Sequence, residues 1–144
     1  MTEPFRFLFR VRYHECDAQK IVFNARWGEY VDVATGEYLR ALFGSAEPGL
    51  EVRLVRQVIE WRAPARFDDV IEASVRTVRV GTTSFTLATE LRRHGAPALL
   101  ASVETVYVAV DPAADEKRPV APEHRHALEA GAPGRVVDHA GALR

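Results

Sequence analysis

Residues 24–44 carry apolar side chains at helical spacing over some five turns, and almost everything on either side of them alternates like a strand. One long helix among several strands leaves the chain few ways to bury both. At 100° per residue, Trp27, Tyr30, Val31, Ala34, Tyr38, Ala41 and Leu42 share one face, with Glu29, Asp32, Gly36 and Arg40 opposite. Asn24 is the expected N-cap, since its side-chain oxygen can accept from a first-turn amide, and Gly44 is the expected stop. Gly28 and Gly36 lie inside the helix, where each either lets another backbone approach closely or is a tolerated defect.

Before the helix, Phe5, Phe7, Phe9, Val11 and Tyr13 alternate with Arg6, Leu8, Arg10 and Arg12, the period of a half-buried strand. After it, residues 45–50 form a turn cluster, and four strand runs follow over 51–62, 70–80, 83–92 and 99–110. The first and last of these are apolar on both faces. Residues 122–130 predict a short helix with proline in its first turn. The expected architecture is α+β: an antiparallel sheet wrapped around one central helix, forming a single domain over 1–130, with a flexible C-terminal tail over 131–144. One helix cannot cover both faces of such a sheet. The leftover apolar face and edge therefore predict a homodimer or homotetramer.

Bulk composition narrows the function by exclusion. A formal charge of −1 offers no basic surplus for nucleic acid or an anionic membrane surface. The lone Cys16 rules out an internal disulfide and any multi-cysteine metal site. No apolar run reaches the length of a membrane span and no signal-peptide core is seen, so the expected location is the cytoplasm. His14, Glu15, Cys16 and Asp17 are adjacent, but alternating strand neighbours cannot converge on a metal, so neither metal nor cofactor is expected. There is no nucleophile elbow and no phosphate loop.

What remains is Asp17, seven residues ahead of a helix start whose free amides are electropositive. A carboxylate there suits a reaction in which an oxyanion develops; the alternative is a loop aspartate that makes a turn. Cys16 reads as a nucleophile without a base or as a passive thiol. Arg76, Arg79, Arg92 and Arg93 read as solvated strand faces, with Arg92 and Arg93 the best pair for gripping a phosphorylated ligand.

Tyr13, Glu15, Asp17, the run Ile21, Val22, Phe23, Asn24 and Ala25, then Trp27, Glu37, Leu39 and Arg40 together resemble the hot-dog-fold acyl-CoA thioesterases of the 4-hydroxybenzoyl-CoA thioesterase type. The likeness continues more loosely through Trp61 to Pro64, Thr83 to Phe85 and Val103 to Asp111, about 120 residues in all. It implies the hot-dog fold and a catalytic carboxylate at Asp17, acting as nucleophile or general base. It also implies that the Asn24 backbone N–H polarises the thioester carbonyl. Phe23 and Trp27 would meet the substrate, and CoA phosphates would lie near basic side chains such as Arg92 and Arg93. The family loop usually has glycine after Asp-Ala, whereas this chain has Gln19 and Lys20, and Lys20 is placed to pair with Asp17. Glu37 stands as a secondary acid by analogy with another hot-dog branch. Two rivals remain: a thioesterase for acyl carrier protein, and a non-catalytic module that binds an acyl ligand.

Overall fold

The computed structural model describes residues 3–44 and 51–143; the turn expected at 45–50 lies outside them. Helix α1 spans Arg26–Phe43 and buries Trp27, Tyr30, Val31, Ala34, Thr35 and Tyr38, the face the periodicity marks with Thr35 added. It ends at Gly44, whose φ of 83° a side chain would resist and whose N–H reaches Arg40 O at 2.7 Å. Asn24 is not the N-cap. Ala25 holds that position in right-handed helical geometry and makes no side-chain cap bond. Arg26 N–H donates to Phe23 O (2.9 Å), and the N–H of Trp27 donates to Asn24 O (3.3 Å), so the chain enters α1 already turning. An N-cap side chain needs an extended backbone, which this approach to the helix lacks.

The strands are β1 (Phe5–Arg10), β2 (Val52–Trp61), β3 (Val70–Val80), β4 (Ser84–Arg93), β5 (Leu99–Asp111), β6 (Glu116–Lys117) and β7 (Val136–Asp138), with a second helix, α2, at Pro122–Ala130. The sheet runs β2-β5-β4-β3-β1-β7, with β6 on β5. All pairings are antiparallel except β1 with β7, which is parallel. Residues 131–143, read from sequence as a tail, thus contribute a strand that lines the outer side of β1.

Alternation sends one face of the strands to the helix. Phe5 and Phe7 of β1, Ile71, Ala73 and Val75 of β3, Phe85, Leu87 and Leu91 of β4, and Ala101 and Val103 of β5 close around Trp27, Val31, Ala34 and Tyr38. Each large apolar side chain enclosed this way contributes about 1.5–3 kcal/mol. The long helix is therefore held mainly by its tertiary contacts. Of the helix glycines, Gly28 would place a Cβ 3.7 Å from Gln57 Oε1, an ordinary contact, and Gly36 faces open space.

Strand β1 is shorter than the alternation predicts. It stops at Arg10, Val11 bonds to the Asp68–Asp69 turn, and Tyr13–Glu15 closes into a single 3-10 turn. Tyr13 is consequently 80% exposed rather than facing the core. The 3-10 turn breaks the alternation at Tyr13 and still carries Glu15 inward.

Candidate active site

The 3-10 turn, a short hairpin and the start of α1 form one connected unit. Phe23 N–H donates to Glu15 O, Cys16 bridges Val22, and Asp17 N–H donates to Ile21 O, so residues 15–23 fold back on themselves with Asp17 at the turn. Val22 N–H donates to Ala65 O at 2.8 Å, tying this hairpin to the segment that follows β2. At the tip, Lys20 N–H returns to Asp17 O and Gln19 N–H donates to Asp17 Oδ1 (2.8 Å). That last contact is an Asx-type turn, and it leaves Asp17 Oδ2 without a partner among the described residues.

Lys20 closes the turn at φ 66°, in the left-handed region that favours glycine. The loop geometry therefore survives the missing glycine at a cost in backbone strain. Among the described residues Lys20 forms no ion pair with Asp17, contrary to the sequence expectation; the Asp17 carboxylate takes the Gln19 N–H instead.

Glu15, named in the sequence only as part of the family-like motif and given no role there, is the buried carboxylate of this unit. It is 3% exposed and accepts four hydrogen bonds: Arg12 N–H at 2.7 Å and Tyr30 Oη at 2.9 Å on Oε1, and Arg12 Nε and Nη2 at 3.0 and 2.8 Å on Oε2. Burial pushes this carboxyl up, but the hydrogen bonds and the charge of Arg12 outweigh it and hold the group below the usual glutamate range. Tyr30 moves the other way: burial and the adjacent carboxylate keep its phenol protonated far into base. The only hint in the sequence was an acid two residues before Asp17 and, fifteen positions on, a tyrosine on the apolar helix face.

The other expected site residues scatter. Phe23 is exposed beside the hairpin, whereas Trp27 is buried edge-on to Tyr30 and serves the core. Asn24 is exposed, and its N–H donates to no acceptor among the described residues. Arg92 and Arg93 do not form a pair, since neighbours on a strand face opposite ways. Arg92 bonds Pro97 O in its own hairpin, while Arg93 reaches Pro64 O and Asp69 Oδ2. Among the described residues Glu37 pairs only with Arg40, at 3.9 Å. A 420 Å³ cavity opens beside Glu15, lined in part by Phe9, Tyr30 and Val33, and neither Asp17 nor Asn24 lines it.

A profile of the thioesterase superfamily matches residues 19–97, which hold α1 and strands β2 to β4. The chain belongs to that superfamily. It is 30% identical over 115 residues to the acyl-CoA thioester hydrolase YbgC of Escherichia coli, covering 77% of this chain and 85% of that protein. A hypothetical protein of Aquifex aeolicus superposes with a TM-score of 0.78 at 26% identity, over 87% of this chain and 99% of the other. The 1,4-dihydroxy-2-naphthoyl-CoA thioesterase of Synechocystis superposes with a TM-score of 0.77 at 19% identity, covering 86% and 94%. The fold is thus the hot-dog fold, and this thioesterase is a thioester hydrolase, which removes the non-catalytic acyl-binding module. Among the described residues no helix is long and apolar enough to cross a membrane.

Proposed function

We propose that the chain hydrolyses acyl-CoA thioesters in the manner of the 4-hydroxybenzoyl-CoA type, with Asp17 as the reacting carboxylate and Asn24 as the oxyanion donor. The observation that carries this reading is the state of the helix entrance. No side chain caps α1, the Asn24 N–H is unspent, and Asp17 is held on the preceding hairpin with one oxygen free. Uncompensated amides at the positive end of a helix stabilise the negative oxygen that develops as a thioester is attacked.

In the nucleophilic form, Asp17 Oδ2 bonds to the acyl carbon, the C–S bond breaks, and the CoA sulfur leaves as a thiolate that takes a solvent proton. Water then cleaves the anhydride and restores the carboxylate. In the general-base form Asp17 removes a proton from water, which attacks directly. The likeness to YbgC supports CoA over a carrier protein as the thiol portion. In this reading Phe23, about half exposed, meets the acyl group, and Trp27, buried in the core, supports that end of the helix from behind. For the CoA phosphates we assign Arg62 and Arg66, both exposed, in place of Arg92 and Arg93, whose guanidinium groups are already engaged.

The reading includes self-association. Among the described residues strand β2 ends the sheet with one side unpaired, and Leu54, Val55, Val58 and Trp61 along it are about half exposed. Pairing of two such edges would satisfy their free backbone groups and let the apolar side chains flanking the seam pack across it in a homodimer, which a tetramer could repeat.

The deciding experiment measures free thiol released from a panel of acyl-CoA thioesters by the wild type and by Asp17→Asn. The asparagine oxygen can still accept the Gln19 N–H, so the turn persists. A loss of about 10²–10⁴-fold with an unchanged melting temperature is expected. Undiminished turnover would refute the role of Asp17.

A further inference from the structure

The 420 Å³ cavity lies on the opposite flank of α1 from β2. Gly28 sits against Gln57 of β2 and Thr35 bonds Tyr107 of β5 at 2.9 Å, and these helix residues, seven apart, share one side. Tyr30 and Val33 point the other way, where Tyr30 meets the ring of Phe9 on β1 at 4.6 Å.

The cavity floor is a continuous aromatic surface. His139 stands edge-on to Phe7 at 4.9 Å, Phe7 stacks on Phe9 at 5.6 Å, and Phe9 leans on Tyr30. Val33, half exposed on the helix, closes one wall. Arg10 and Arg12 also line the space. The single carboxylate lining it, Glu15, does not oppose an anion, because both its oxygens are taken and Arg12 offsets its charge. Arg12 keeps Nη1 without a partner among the described residues. Among the described residues Arg10 is engaged only at Asp68, at 3.2 and 3.4 Å, in an exposed contact that a ligand can displace at small cost.

An apolar floor with cationic side chains and no unpaired acid selects one chemistry. We propose that this flank cavity is a second, non-catalytic site that binds a small hydrophobic monocarboxylate. The ring or alkyl portion packs on Phe7, Phe9, Tyr30 and Val33, and the carboxylate is held by Arg10 and Arg12. The volume lies within the range of small-molecule sites, and guanidinium groups match a carboxylate in bidentate fashion. Such an acid is the class of product that thioester hydrolysis releases, so the site has a ligand available wherever the enzyme acts. The inference does not depend on the role given to Asp17.

Calorimetric titration of the thioester-free protein with phenylacetate, octanoate and the uncharged phenylacetamide tests it. One or both carboxylates should bind the wild type, with phenylacetamide at least about tenfold weaker. Val33→Trp fills the cavity from an exposed helix position, and Arg10→Gln removes charge without adding bulk. Each should weaken carboxylate binding by about tenfold or more, while Asp17→Asn leaves it unchanged and Val33→Trp keeps wild-type thioester turnover. The proposal is overturned if neither carboxylate binds, if the amide binds as well as the acids, or if either cavity variant retains wild-type affinity. Loss of binding in Asp17→Asn would also overturn it, by placing the acid in the thioester site.

Discussion

The phenol of Tyr30 donates a 2.9 Å hydrogen bond to Glu15 Oε1, joining the second turn of α1 to the 3-10 turn that precedes the Asp17 hairpin. Because the Glu15 carbonyl also takes the Phe23 N–H, one residue anchors the hairpin through its side chain and its backbone together. The loop that carries Asp17 is thereby referenced to the helix rather than left to its own turn.

Removing either donor should expose how much the anchor holds. Tyr30→Phe leaves Oε1 with the Arg12 N–H, so a loss of about 1.5 kcal/mol is expected, the lower end for a hydrogen bond to a charged group. Arg12→Ala strands a buried carboxylate and should cost about 3 kcal/mol, at the low end because Arg12 is itself exposed and water can enter. Chemical denaturation of both variants measures the difference. Equal effects would mean that Arg12 adds nothing beyond the phenol.

Acid should act through the same group. The folded state holds Glu15 below the ordinary glutamate value of 4.5, so the unfolded chain takes up this proton first as pH falls. The contribution to stability is complete above pH 4.5 and disappears as pH drops from there through the lower folded-state value. Melting temperatures recorded from pH 7 downward should show the wild type losing its advantage over Glu15→Gln only below pH 4.5. A constant gap across that range would remove Glu15 from the acid response.

Lys20 closes the hairpin at φ 66°, a conformation that costs a residue with a Cβ about 1–2 kcal/mol. Lys20→Gly relieves this strain while adding about 0.5–1 kcal/mol of unfolded-state entropy, so a net gain of about 0.5 kcal/mol is expected. Lys20→Val, branched at Cβ, should destabilise by a further 1 kcal/mol or about that and lower thioester turnover by disturbing the bond from Gln19 to Asp17. Thermal melts combined with thiol release give both readings. A valine variant as active and stable as wild type would show that the turn does not constrain Asp17.

At the open edge of the sheet, Val58→Lys places a charge among half-exposed apolar groups on β2 without touching the core. Sedimentation should show a shift toward monomer, and thioester turnover should fall with it where the second copy completes the site. A variant that sediments as the wild type does would move the interface away from β2.

Much of the fold was legible because period is a local property. The bounds of β2 through β5 and of α2 fall within a residue or two of the runs read from alternation and proline placement, and Gly44 stops α1 where expected. Local pattern failed where the chain leaves regular structure. Phe5 to Tyr13 alternates throughout, yet Val11 is captured by the Asp68–Asp69 turn and the strand ends at Arg10. Asn24 has the right chemistry for a cap, but the backbone arrives in the wrong conformation to use it.

From its residues alone, the chain determined one apolar helix face, the strands to cover it, and an aspartate just before the helix, since spacing along a chain dictates which side chains share a face. Only the tertiary structure decided that Glu15 would be buried between Arg12 and Tyr30, that Arg92 and Arg93 would part company, and that the C-terminal residues would line a cavity with β1. Those outcomes depend on contacts between segments tens of residues apart, and no periodicity within a segment reports which distant partner will satisfy its polar groups.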